Sequence, residues 1–206
     1  MARPAVRTET VQALFERRID PIEHLAGQSG EVAAACHAMA VRFHRGGKLV
    51  VFGNGGPSTD AQHVAVEFVH PVIVGKRALP AISLTGDVAT VTGVAVRAGL
   101  AEIFAHQIRI LAEPADIALG ISSDGHCANV LRGLRAAHAL GMLTVALVGG
   151  DGGAIGADPA VDHVLLAASN DARVVKEVHV TTYHVLWELV HVFFEQPGLL
   201  GPRVVR

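Results

Sequence analysis

The chain has 206 residues, half of them hydrophobic, with 17 Lys and Arg against 19 Asp and Glu. A net charge of −2 without a basic run excludes the footprint of a nucleic-acid binder, and a mean hydropathy of +0.40 excludes a disordered chain. Charged residues are only 17% of the chain, against roughly 25% in ordinary globular proteins, so apolar surface must be hidden in a core, between copies or in a bilayer.

In chain order, residues 8–25 carry Val11, Leu14, Phe15 and Ile22 as a helical stripe. Residues 30–44 are Ala-rich and free of breakers, which predicts a second helix. These two form an N-terminal arm, residues 1–46, before any strand. The pattern then changes to short apolar runs at 48–52, 80–84, 116–121, 143–148 and 163–166. None alternates, as expected of parallel strands buried on both faces. Helical stretches at 60–69, 88–98 with 100–111, 128–140 and 173–194 separate them. Strands alternating with helices over 47–196 predict a doubly wound α/β sheet, with ligands at the carboxyl ends of the strands. Residues 197–206 read as a tail. No run reaches the ~20 apolar residues of a spanning helix, and the charged start MARPAVRTETVQALFERR lacks a signal-peptide core. A cytoplasmic protein with no membrane partner is expected. Cys36 and Cys127 form neither a disulfide framework nor a CxxC pair.

Three segments carry chemistry. The first is the turn Gly53-Asn54-Gly55-Gly56-Pro57-Ser58 between the first strand and a helix. Its glycines let backbone amides approach an anion at a helix N-terminus, although a tight turn needs the same residues. His63 and Glu67 follow at i, i+4 on one helix face, placed to act as acid and base or as two metal ligands. A surface His–Glu pair has the same spacing. The second is Gly120-Ile121-Ser122-Ser123-Asp124-Gly125-His126-Cys127, where serine hydroxyls and a helix N-terminus suit phosphate or sugar hydroxyls. An ordinary N-cap reads the same way. The third is the last helix, in which His184 and His191 are seven apart and share a face while His179 points elsewhere.

In order, GNGGxxxDAxHxxxE, PAIxL, GISxxGxxxNV, GMxTxAL, DGG and ExHxxxxH resemble the sugar isomerase (SIS) domain family, in its phosphoheptose isomerase branch, over nearly the whole chain. The resemblance implies a flavodoxin-like, five-stranded parallel sheet assembled as a homotetramer with sites between subunits. It implies aldose–ketose isomerisation of sedoheptulose 7-phosphate or a related sugar through an enediol, with Glu67 as base and His184 as acid. Asn54, Gly55, Gly56, Ser58, Ser122, Ser123, Asp124, Cys127 and Lys176 would line the sugar phosphate. Zinc-bound members hold the metal with the equivalents of His63, Glu67 and His184 and a Gln from the start of the last helix.

Four positions depart from the family pattern. Pro57 replaces a Ser and removes an N–H, with Ser58 beside it to compensate. Asp124 and Cys127 replace two phosphate-binding serines. Lys176 replaces the metal-ligand Gln. A carboxylate ~5 Å from phosphate costs roughly 3 kcal/mol per unit charge at an effective dielectric near 20. Lys176 is expected either to pair with Asp124 or to set an ammonium where the family sets zinc. Weak zinc binding or none is therefore expected. These losses keep two alternatives open: a non-catalytic, carbohydrate-binding or scaffolding SIS protein, and an isomerase for an altered sugar.

Overall fold

A computed structural model describes residues 7–201 of the chain; arm residues 1–6 and tail residues 202–206 lie outside the described residues. The arm contains α1 (Thr8–Glu16), α2 (Ile19–Gly27) and α3 (Ser29–His44). The single helix expected over 8–25 is two helices. Pro21 has no N–H, and its ring would strike the carbonyl four residues back, at Arg17, so the helix breaks at Arg17–Arg18. Val11, Leu14, Phe15, Ile19 and Ile22 of this arm are exposed. α3 is buried through Val32, Ala35, Cys36, Met39, Ala40 and Phe43. Burial pushes the Cys36 thiol up to about 12, which makes it unreactive.

The five apolar runs form β1 (Leu49–Gly53), β2 (Ala81–Ser83), β3 (Ile117–Ser122), β4 (Leu143–Gly149) and β5 (His163–Ala167). They make one sheet, in the order β2-β1-β3-β4-β5, with every pairing parallel. The helices between them are α4 (Gly56–Val69), α5 (Val88–Ala98), α6 (Ile103–Leu111), α7 (Ala128–Ala139), α8 (Gly153–Gly156) and α9 (Ala172–Glu195).

Successive strand residues point to opposite faces, and each face has its own core. Leu49, Val51, Leu119, Ile121, Val145 and Leu147 meet α3, α4 and α9. Val50, Phe52, Ala118, Ala146 and Val148 meet α6 and α7. This two-sided burial is why β1, β3 and β4 show no alternation. β2 departs from that expectation: it is an edge strand of three residues, all only partly buried.

The register aligns Gly53 with Ile121. The glycine turn after β1 and the serine loop after β3 therefore stand side by side at the carboxyl edge of the sheet. Here Gly53 has no room for a side chain, since a Cβ would come within 2.7 Å of both the Ile121 carbonyl and Pro57. α4 starts at Gly56, four residues before the sequence pattern suggests, because Pro57 fits the first turn of a helix.

Candidate active site

α4 and α9 cross beside the glycine turn. α4 presents His63 and Glu67 on one face, and α9 brings His184 across to them. One ligand atom from each of the three lies within 4.8 Å of the others. His63 Nε2 is 3.2 Å from Glu67 Oε1, and the rings of His63 and His184 meet edge-on at 5.3 Å. Trp187 Nε1 donates to the Glu67 carbonyl at 2.9 Å, which pins the two helices together at this level. The cluster faces outward: His63 and His184 are exposed and Glu67 is half-buried.

Tyr183 stands behind the cluster, its hydroxyl 2.7 Å from His63 Nδ1. Burial raises the Tyr183 pKa above its ordinary value, so the phenol keeps its proton. A hydroxyl on Nδ1 sets the ring orientation and turns Nε2 toward Glu67 and the centre of the cluster, as an outer partner does behind a metal-bound histidine. Two imidazoles and one carboxylate suit zinc and leave a position open, so the donor set fits the metal implied by the sequence. Nothing in the spacing of α9 marks Tyr183; it reads as one more core residue of an apolar helix.

The glycine turn is held by a bond the sequence did not suggest. Asn54 Nδ2 donates to Asn129 Oδ1 at 2.6 Å, and Asn129 Nδ2 donates to Asn54 Oδ1 at 3.0 Å. The Asn54 amide therefore joins two loops, and the exposed backbone of Gly55 and Gly56 borders the site. Ser58 lies in the first turn of α4, and its carbonyl accepts from Thr85 Oγ1.

In the loop after β3 the buried Ser122 hydroxyl donates to Asp124 Oδ1 at 3.1 Å and accepts the Gly125 N–H at 3.0 Å. Asp124 Oδ1 also accepts the His126 N–H at 2.9 Å. Two amides of this loop, those of Gly125 and His126, are thus taken by the loop's own side chains. Cys127 is the N-cap residue of α7 and makes no capping bond, so the helix end keeps unsatisfied N–H groups. Gly125 is required at its positive φ of 71°, where a Cβ would overlap the Gly152 carbonyl. Ser123, Asp124, His126, Asp151 and Asn170 border a cavity of about 550 Å³ at the ends of β3, β4 and β5.

Lys176 corrects a sequence expectation. It does not pair with Asp124, whose carboxylate is folded into its own loop. Lys176 Nζ meets Asp60 Oδ1 at 2.5 Å instead, because the N-terminal part of α9 lies over the N-terminal part of α4. His191, one repeat along α9 from His184, is buried between the Trp187 and Arg77 carbonyls at 2.8 and 2.9 Å and takes no part in the site. Burial holds the His179 pKa down at about 4, against a hydrogen bond to the Val148 carbonyl that raises it.

The SIS domain family matches residues 15–149. A phosphoheptose isomerase of Solidesulfovibrio magneticus is 42% identical over 172 residues, 83% of each chain. Among solved structures, a phosphoheptose isomerase from Francisella tularensis superposes with a TM-score of 0.84 at 32% identity, covering 91% of this chain and all of that one. The phosphoheptose isomerase GmhA from Neisseria gonorrhoeae gives 0.81 at 29% identity, covering 88% and 97%. The fold, the order of the motifs and these likenesses agree: the chain belongs to the SIS domain family, in its phosphoheptose isomerase branch.

Proposed function

We propose that this protein interconverts sedoheptulose 7-phosphate and the matching aldoheptose 7-phosphate, with Glu67 as the base and His184 as the acid. The observation that supports this most directly is the convergence of His63, Glu67 and His184 within 4.8 Å. Isomerisation moves a proton between C1 and C2. In the ketose-to-aldose direction a base takes a C1 proton while an acid protonates the C2 oxygen, giving the enediol. Return of the carbon-bound proton to C2, with loss of the C1 hydroxyl proton, completes the exchange. With Oε1 turned to His63, Glu67 Oε2 is the oxygen that moves the carbon proton. His184 serves the oxygen of the neighbouring carbon.

His63, Glu67 and His184 would also hold zinc, which when bound would polarise the carbonyl. The sugar chain runs from this cluster past Gly55 and Gly56 toward Ser122, Ser123 and the N-terminus of α7, where the phosphate sits. The scaffold alternative has no observation in its favour.

Replacing Glu67 by Gln tests the assignment. Turnover of sedoheptulose 7-phosphate, followed by NMR, should fall at least a hundredfold, while substrate affinity changes little. Turnover near wild type would remove Glu67 from the mechanism.

The protein acts as a homotetramer in the cytoplasm. Exposed Val11, Leu14 and Phe15 on the arm, and exposed Val66, Val69, Val72 and Ile73 beside and beyond the site, support assembly. Among the described residues no helix is long and apolar enough to cross a membrane. Light scattering should give four times the 21.5 kDa chain mass.

A further inference from the structure

Lys176 stands on the second turn of α9, and its ammonium crosses to α4. Nζ donates to Asp60 Oδ1 at 2.5 Å, and to Thr59 Oγ1 and the Gly56 carbonyl at 3.3 Å each. The Asp60 side chain is 5% exposed and that of Lys176 44%. Thr59 and Asp60 precede His63 by four and three residues. They are therefore its neighbours on the helix surface, about 5–6 Å away between Cβ atoms. One helical turn from His63, a unit charge on either side chain acts through space on a divalent cation held by that ring.

Taken singly, the two charges would pull in opposite directions. An uncompensated Asp60 would strengthen the hold on a cation, and an uncompensated Lys176 would weaken it. A carboxylate this deeply buried needs a paired cation. His179, which interacts electrostatically with Asp60, does not provide it, because burial keeps its ring neutral near pH 7. Asp60 Oδ2 has no hydrogen-bond partner of its own. The charge of Lys176 is therefore spent on Asp60.

We propose that Lys176 and Asp60 form a compensating charge pair that sets the metal affinity of the His63–Glu67–His184 cluster. Lys176 is a positioning residue: it neutralises Asp60 and ties the Gly56 carbonyl to α9, and it neither replaces the metal nor drives it away. The inference rests on reading the three-residue cluster as a metal site.

The test is zinc affinity of the full chain at pH 8, measured by competition with a chromophoric chelator. Lys176→Leu offers no ligand atom and leaves Asp60 uncompensated, so it should tighten zinc about tenfold. Asp60→Asn leaves the ammonium uncompensated and should loosen zinc about tenfold. The double variant should return to within threefold of wild type, and Lys176→Arg, which keeps the charge, should do the same alone. If Asp60→Asn does not fold, the Leu and Arg variants decide the matter. Unchanged or weaker zinc binding in Lys176→Leu overturns the proposal. His63→Ala separates the two readings. If it fails to weaken zinc at least tenfold, the metal site falls and the charge pair with it. If it does weaken zinc while Lys176→Leu changes nothing, only the charge pair falls.

Discussion

Asn54 and Asn129 exchange two side-chain hydrogen bonds, at 2.6 and 3.0 Å, and so lock the turn after β1 to the first helical turn after the serine loop. Asn129 is buried, and the two amides satisfy each other. Asn129→Ala leaves the Asn54 amide unpaired and frees the two loops to move apart. The expected outcome is a rise in KM of at least fivefold, with a stability loss of about 1–3 kcal/mol, measured by steady-state kinetics and urea unfolding. An unchanged KM would show that the two loops hold their spacing without this pair.

Tyr183 meets the site through its hydroxyl, on His63 Nδ1, and through its ring, edge-on to His184 at 4.9 Å. Tyr183→Phe keeps the ring and removes the hydroxyl. Zinc affinity should drop about 10- to 100-fold, while the melting temperature moves by only a few degrees. Chelator competition and thermal unfolding read the two effects separately. A variant with full zinc affinity would mean that packing alone orients His63.

Asp124 gives the loop after β3 a negative charge and occupies its His126 amide. Asp124→Ser combined with Cys127→Ser removes that charge and offers hydroxyls in its place. Affinity for a heptose 7-phosphate should rise at least tenfold, about 1.4 kcal/mol, while affinity for the unphosphorylated heptose stays constant. Equal gains for both sugars, or none for the phosphate, would show that the carboxylate faces away from the phosphate. Calorimetric titration with each sugar distinguishes these outcomes.

His179 titrates near pH 4 in the folded chain, because burial penalises its charged form, against an ordinary value of 6.5. The unfolded chain therefore binds the extra proton first as pH falls. Stability contributed by the neutral ring is present above about 6.5 and is lost progressively toward 4. The melting temperature should fall by several degrees across that window, and His179→Gln should flatten part of the slope. Identical slopes for wild type and variant would assign the acid lability to other groups.

Fold class was legible in the sequence for a local reason. Short, non-alternating β-rich runs separated by helical stretches with turn glycines permit few arrangements, and parallel pairing between two helical layers is the one that buries both faces of β1, β3 and β4. His63 and Glu67 were legible because i, i+4 spacing is a property of one helix. Spacing cannot bring α9 to α4, so His184 was placed beside them only through resemblance, and the fold supplies the physical contact. Periodicity alone runs one helix through 8–25, and it does not register that Pro21 acts on a residue four positions back and divides it. The partners of Lys176 and Asn54 could not be read at all. Each had several polar candidates near in sequence or in motif, and the choice depended on which helix turns come within hydrogen-bond reach once the sheet register aligns Gly53 with Ile121. The resemblance, which sets both at one site, made Asp124 the expected partner for Lys176. Tertiary packing gave Lys176 to Asp60, because the N-terminal parts of α4 and α9 lie together while Asp124 satisfies amide and hydroxyl donors within its own loop.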